Sequence, residues 1–481
     1  MSDMERTQFS DGAKEVLGYF YDISQIPRQS GNNGQISAYL KAFAESLGLK
    51  AQVDSAGNVL VSKSASPGCA SAMPVILEAH YDMVCQKTPE SCHDFSMPLE
   101  LCRDGDRIFA KDTTLGADNG LGIAAIMAVL AGDMPHPSLE AVFTSSEETD
   151  MAGARGLDMG SLQGKLLLTL DSRALLCCGS GELELHLALP KEMEETPPGT
   201  VCRRLEISGL RGGHTGTNAM EEPGNAIMLL ARTLRNLQKI GVEFYLAEIH
   251  GGSGSPSAFA REASCVLCLQ PPQVEMAEKL TKSLKKMFAD ELRGRSDQVM
   301  VSLSAMDKPD RCFSRETTCR LIQLLTVMPD GVCSLSHTFP GTMESGVNCG
   351  VIESREDNVS LLVLIRSTRS SKKYALLDKV SALCALTGTS WHICHDLPQW
   401  DRNVPDEILN IAREIYHEGE PWISPGTLEC GVFQTGKPEL YFLGVGLPYY
   451  YQHSPSEYAL VSEIALYWDK LKAFLALLAE Q

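Results

Sequence analysis

Apolar positions repeat along this chain with two different rhythms, and the change of rhythm divides it. In the first 180 or so residues, short apolar runs alternate with segments of helical spacing. Ile36, Leu40, Phe43 and Leu47 fall on one face of a helix, which predicts a helix over residues 36–49. Residues 52–62 read as a hairpin about the turn-prone Ser55-Ala56-Gly57-Asn58. Residues 75–79, 139–145 and 166–170 are runs of buried-strand length, and residues 121–131 form a helix-like segment after Asn119-Gly120. Strands separated by helices predict an α/β domain whose sheet is mostly parallel and flanked by helices.

From Glu182 onward the strands alternate apolar and polar residues, as at 183–189 and 202–210. Amphipathic helices are expected at 225–237 and 276–293, strands near 260–269, 299–305, 347–354 and 359–366, and a helix at 373–386. This is the signature of an α+β domain with an antiparallel sheet. After Asp396-Leu397-Pro398 the first rhythm returns, with a helix at 406–417 and an apolar strand at 440–445. The expected organisation is residues 1–181 and 397–481 as two parts of one catalytic domain, interrupted by a lid domain over 182–396.

Composition narrows the function classes. A net charge of −19 argues against an extended nucleic-acid surface, which needs clustered Lys and Arg. No apolar stretch approaches the ~20 residues that span a bilayer. The acidic start, with Asp3, Glu5 and Asp11, lacks the apolar segment of a signal peptide. The expectation is a cytoplasmic protein without membrane or nucleic-acid partners. Sixteen cysteines in 481 residues are too sparse for a disulfide framework. Cys265-Val266-Leu267-Cys268 has C-x-x-C spacing, and His392, Cys394 and His395 form a second polar group. A structural zinc there needs four ligands meeting in space, whereas an apolar setting makes Cys265 and Cys268 small buried hydrophobes, the weightier reading.

The chemistry gathers where strands end. Residues 75–79 run straight into His80-Tyr81-Asp82, residues 139–144 into Ser145-Ser146-Glu147-Glu148, and residues 166–170 into Asp171. The strand at 440–445 leads to a loop holding His453, and Asp118 precedes the helix at 121. In open α/β sheets that edge is where sites form. Like-charged carboxylates need compensation. Imidazoles with carboxylates suit one or two divalent cations, Zn²⁺ first, with Mn²⁺ or Co²⁺ as alternatives. Adjacent side chains of an extended segment point apart, so one of Glu147 and Glu148 is expected to ligate metal while the other faces substrate. Asp82 is placed to orient His80.

These segments, with Thr114-Leu115-Gly116-Ala117-Asp118-Asn119-Gly120, His453-Ser454-Pro455 and Gly209-Leu210-Arg211-Gly212-Gly213-His214-Thr215-Gly216, resemble the di-zinc aminopeptidase/aminoacylase-type metallopeptidases. Within them the chain is most similar to the aminoacyl-histidine dipeptidase branch. Leu428-Glu429-Cys430-Gly431 and Leu364-Ile365-Arg366-Ser367 also match, and the resemblance runs from about Tyr19 to the C-terminus. It implies that His80, Asp118 and Asp171 hold one metal ion and that Asp118, Glu148 and His453 hold the other, with Asp118 bridging. Glu147 is implied as general base, with Asp82 supporting His80. His214 is implied to polarise the scissile carbonyl, while Asn348 and Arg366 handle the substrate's carboxylate end. The resemblance further implies a cis peptide after Asp118 and a homodimer formed through the lid.

Two segments depart from the family pattern. Ser257 stands where the family has Asn, and Pro425 where it has His. Both bear on substrate preference. The expected activity is metal-dependent hydrolysis of unblocked dipeptides, of Xaa-His type including β-Ala-His. The alternatives are a related amidohydrolase of other dipeptides, tripeptides or N-acyl amino acids, and a catalytically silent homologue acting as a binding protein. The presence of every implied ligand and of Glu147 argues against the last.

Overall fold

The computed structural model describes residues 3–296, 298–417 and 422–481. The chain divides into two compact units, Met1–Gly179 with Trp400–Ser424 and Leu428–Gln481, and Ser180–Gln399 with Pro425–Thr427.

The first unit is built on an eight-stranded sheet. At its centre Leu139–Thr144, Val75–His80, Leu166–Thr169 and Tyr441–Gly444 run parallel in that order. Val75–His80 and Leu166–Thr169 are buried at every position, which explains why they read as mostly apolar runs, with Glu78, His80 and Thr169 as buried polar exceptions, rather than as alternations. The parallel centre has antiparallel neighbours: the hairpin Lys50–Val53 and Val59–Lys63 on one side, and Leu176–Gly179 against Tyr441–Gly444 on the other. Register pairs His80 with Thr144, and Thr169 with both Glu78 and Gly444, so the four parallel strands end along one edge. The helix Ala117–Ala131 is buried almost throughout. It is apolar on all sides, as a fully packed helix must be. Its first turn is interrupted at Asp118 and Asn119, whose backbone is not helical and whose shared peptide bond is cis. The regular helix therefore begins after Asn119, where the sequence placed it.

The second unit carries a nine-stranded sheet whose main ladders are antiparallel. Its topology is a duplication. One module is Val201–Ser208, helix Ala226–Lys239, Phe244–Gly251, Ala263–Leu269, helix Pro271–Glu291 and Met300–Met306, with strands in the spatial order fourth, first, third, second. That is a split β-α-β. The other module uses Gly181–Pro190, helix Arg315–Val327, Met343–Ser354, Asn358–Ser367, helix Ser370–Thr387 and Ser390–Leu397, in the mirrored order second, third, first, fourth. The modules join edge to edge where His250 and Gly251 pair with Glu353 and Ile352. One core runs through both, from Leu183, Leu185, Leu187 and Leu189 to Leu205, Leu234, Phe288 and Val380. Strand alternation sends Cys265 into this core and Cys268 to the opposite face. There the Cys268 Sγ lies 2.9 Å from that of Cys202. The C-x-x-C spacing thus falls on a strand, and the two thiols point apart instead of converging on zinc.

Among the described residues no helix is long and apolar enough to cross a membrane.

Candidate metal centre

The aligned strand ends bring the imidazoles and carboxylates of the first unit together. His80 Nε2 lies 3.2 Å from Asp118 Oδ1, and His453 Nε2 lies 3.3 Å from Asp118 Oδ2. The two oxygens of one carboxylate thus face two different imidazoles, the shape of a bridging ligand. His453 Nε2 is also 3.0 Å from Glu148 Oε1. Ligand atoms of His80, Asp118 and Glu148 lie within 4.8 Å of one another, and among the described residues no other trio of His, Cys, Asp or Glu does so. Asp171 stands beside this group. Its Oδ1 accepts a 3.4 Å hydrogen bond from the Tyr449 hydroxyl, and its charge acts on His80.

The electrostatics fit a cation. Burial, and then the charge of Asp118, raise the Asp171 carboxyl well above its ordinary range. Burial likewise raises Glu147, with Glu148, Asp171 and Asp118 adding to it and His80 opposing. Glu148 Oε1 is buried without an aligned hydrogen-bond donor, although the His453 nitrogen is close. Ligand atoms of His80, Asp118 and Glu148 converge closely enough to share one ion. Two imidazoles and three carboxylates in this neighbourhood match the donor set of a divalent site.

Supporting contacts hold the donors in place. His80 Nδ1 lies 3.1 Å from the Asp82 carbonyl oxygen and 3.6 Å from its carboxylate. The Asp82 carboxylate accepts hydrogen bonds from the backbone N–H of Glu147 (3.0 Å) and Glu148 (3.3 Å) and from the Ser30 hydroxyl (2.6 Å). Asp82 therefore supports His80 mainly through its main chain, and its side chain caps the Glu pair. Glu147 and Glu148 sit in a turn after Leu139–Thr144, not in an extended segment. Their separation comes from that capped turn, not from the alternation expected for a strand.

Among the buried charges of this site that the sequence does not single out, two hold the backbone around Asp118. Glu457 accepts hydrogen bonds from four successive backbone N–H groups, those of Leu115 (2.8 Å), Gly116 (3.0 Å), Ala117 (2.9 Å) and Asp118 (3.3 Å). Arg28 donates to the carbonyls of Tyr81 and Asp82, both at 3.3 Å, and to that of Gly116. Both side chains are almost wholly buried. Together they fix the loop that presents Asp118 and the segment that follows His80. Gly116 is required here: its φ is +67°, and a Cβ would collide with Arg28 and Met83. The only sequence signal was the position of Glu457 four residues after His453, which does not distinguish a buried charge from a solvated one.

In the second unit His214 and Arg366 meet. Arg366 Nη2 lies 3.3 Å from His214 Nε2, and Arg366 Nε donates to Thr215 Oγ1 at 3.1 Å. His214 Nδ1 accepts from the N–H groups of Gly216 and Thr217, both at 3.2 Å. Arg366 is buried, and its Nη1 is 2.7 Å from Glu182 Oε2. Burial alone would raise the Glu182 carboxyl, yet Arg366 and His395 hold it down to about 2. Asn348 spends its amide elsewhere. It donates to the carbonyls of Pro256 (2.8 Å) and Ala258 (3.0 Å), and its Oδ1 accepts from Asn225. It thereby braces the loop carrying Ser257.

Residues 76–477 match the family model described as "Peptidase family M20/M25/M40". The chain is 30% identical over 468 residues to the cytosol non-specific dipeptidase of Escherichia coli, covering 95% of this chain and 96% of that protein. Among solved structures it is similar to aminoacylhistidine dipeptidase from Vibrio alginolyticus, with a TM-score of 0.84, 30% identity and 99% of each chain covered. A tripeptidase from Staphylococcus aureus shares the fold at a TM-score of 0.56 and 15% identity, over 97% of this chain and 99% of that one.

Proposed function

The chain belongs to peptidase family M20/M25/M40 and is a metal-dependent peptide hydrolase, and from that premise we propose that it is a two-metal dipeptidase. Its substrates are unblocked dipeptides, Xaa-His and β-Ala-His among them. The observation that carries this reading is Asp118, whose two carboxylate oxygens face His80 and His453 separately. His80, Asp118 and Asp171 would hold one ion, and Asp118, Glu148 and His453 the other, with Zn²⁺ favoured over Mn²⁺ and Co²⁺ by the imidazole–carboxylate set. Bound ions supply Lewis acidity, which acidifies water and polarises a peptide carbonyl.

The protein's own groups do the rest. Glu147, at the edge of the cluster with a raised carboxyl pKa, takes the proton of the attacking water and returns it to the leaving amine. Asp82 keeps the Glu147 turn and His80 in register, while Glu457 and Arg28 keep Asp118 in place. His214 polarises the scissile carbonyl. Arg366 reads the substrate's terminal carboxylate, and Asn348 acts on it through the Ser257 loop. The enzyme is assigned to the cytoplasm and to a homodimer formed through the lid.

The test is a panel of β-Ala-His, Gly-His, a non-histidine dipeptide, a tripeptide and an N-acetyl amino acid, run on protein of measured metal content. Fastest turnover of free dipeptides is expected. Preferential cleavage of tripeptides or N-acetyl amino acids would move the chain to a different substrate class, and no turnover with both ions bound would point to a silent homologue.

A further inference from the structure

The second unit gathers another set of metal-capable side chains, centred on His186 and His392, which have no role above, beside the Glu182–His395 pair. Gly181–Pro190 pairs antiparallel with the edge strand Ser390–Leu397, and the register sets His186 directly opposite His392. Leu183, Leu185, Leu187 and Leu189 point into the core, so Glu182, Glu184 and His186 share the other face. The two imidazole rings have centroids 4.9 Å apart with planes inclined at 51°. Rings that share one ion through bonds of ~2.0–2.1 Å keep their centroids about 3.2 Å from it, which places them ~4.5 Å apart at a right angle and ~5.2 Å apart at the tetrahedral angle. The observed spacing lies between these limits.

The neighbouring positions extend the set. The register shifts between Ile393 and His395, so Cys394 is the extra residue of a β-bulge, and it comes opposite Glu184 together with His395. The Cys394 thiol interacts with the Glu184 carboxylate. His395 is already committed to carboxylates, with Nε2 3.0 Å from Glu182 Oε1 and Nδ1 3.8 Å from Glu184 Oε2. His392 and Cys394 are exposed, which gives an ion a path from solvent. Burial and the facing His392 lower the His186 pKa, favouring the neutral form that ligates metal. The Ser360 hydroxyl holds its Nε2 at 2.8 Å, which orients the ring with Nδ1 as the nitrogen for a ligand bond.

We propose that His186 and His392 form a cross-strand clip for one divalent transition-metal ion of the Zn²⁺, Co²⁺ or Cu²⁺ class, with Cys394 as third ligand. Ligand atoms of three residues already converge only at His80, Asp118 and Glu148 among the described residues. In the clip the two imidazoles are set by the strand register, and the exposed Cys394 side chain rotates in when the ion binds. Imidazole and thiolate favour this metal class over Mg²⁺ or Ca²⁺.

The test is titration of full-length protein with Zn²⁺ and with Co²⁺, comparing wild type with His186→Ala/His392→Ala and with Cys394→Ser. Wild type is expected to take up one Zn²⁺ per chain more than the double variant, or to bind that ion at least about tenfold more tightly, equivalent to about 1.4 kcal/mol. Because the readout is a difference between variants, it does not depend on how many ions the catalytic cluster holds. The Co²⁺ complex of wild type should show a thiolate charge-transfer band that Cys394→Ser loses, and dipeptide hydrolysis should be unchanged in all variants. Equal stoichiometry and affinity in wild type and double variant would reduce His186 and His392 to a packing pair. A charge-transfer band that survives Cys394→Ser would remove the thiolate from the site.

Discussion

Individual side chains in the metal centre divide into those that carry charge to the reaction and those that hold others still, and substitution separates them. Glu147→Gln should leave metal content near normal and lower kcat by roughly 10²–10⁴, the range for losing a positioned general base. Glu148→Gln should instead lower metal occupancy, so elemental analysis beside kinetics distinguishes the pair. The opposite pattern would exchange their roles. Glu457→Ala strips the acceptor from four backbone N–H groups of the Asp118 loop. A weakening of metal affinity by about 10–100-fold is expected, as for other groups that orient ligands, and calorimetric Zn²⁺ titration reads it. In the second unit, the charge of Arg366, proposed to read the substrate's carboxylate, is already balanced by Glu182. Glu182→Gln should therefore lower KM for free dipeptides and leave C-terminally amidated ones unmoved, whereas Arg366→Ala should raise KM for the free peptides alone. Equal shifts on free and amidated substrates would take both residues out of carboxylate recognition.

At the level of elements, the duplicated topology of the second unit places particular demands on the junction between its halves. Asn225 caps the helix Ala226–Lys239 of one module by accepting from the N–H groups of Ile227 and Met228. Its amide nitrogen also donates to Asn348 Oδ1 and the Cys349 carbonyl of the other module. Losing a cap costs about 0.5–2 kcal/mol, and stranding a buried acceptor adds about 1–3 kcal/mol. Asn225→Ala should accordingly lower the thermal midpoint measurably while metal content stays at the wild-type value. A midpoint indistinguishable from wild type would mean that the capping interaction contributes nothing to the junction.

For the molecule as a whole, the excess of buried carboxylates at the metal centre makes metal content a property of both activity and stability. Removing metal with a chelator should abolish hydrolysis, and Zn²⁺, Mn²⁺ or Co²⁺ should restore it. Because ions bind the assembled cluster and not the unfolded chain, free metal at 100 times Kd should stabilise the fold by about 2.7 kcal/mol per site. A thermal midpoint that rises with free Zn²⁺ is the expected reading. Full turnover by metal-free protein would refute the two-metal mechanism.

The sequence by itself determined the fold class and the approximate place of most elements that line the metal centre. Residues 75–79 and 166–170 are legible because a strand buried on both faces is apolar at most positions, with Glu78 and Thr169 as the exceptions here, and residues 183–189 because a half-covered strand must alternate. His80, Glu147, Glu148 and Asp171 stood out because they follow buried runs, and Asp118 and His453 because they lie at a helix start and in a loop after a strand; the recurrence of such positions, not any one of them, carries the signal. Other elements gave no such contrast. The short strands Leu176–Gly179 and Gly331–Leu335 and the helix Arg315–Val327 were not anticipated, since brief or weakly periodic segments are defined by the neighbours that cover them. Tertiary structure alone decided that Arg28 and Glu457 are buried, that Arg366 is neutralised by Glu182, that Asn348 braces a loop and that His186 faces His392. Each of these pairs residues far apart in the chain. Local pattern records whether a position is covered, but not which distant group covers it, and the charge and hydrogen bonding of a buried group depend on that partner.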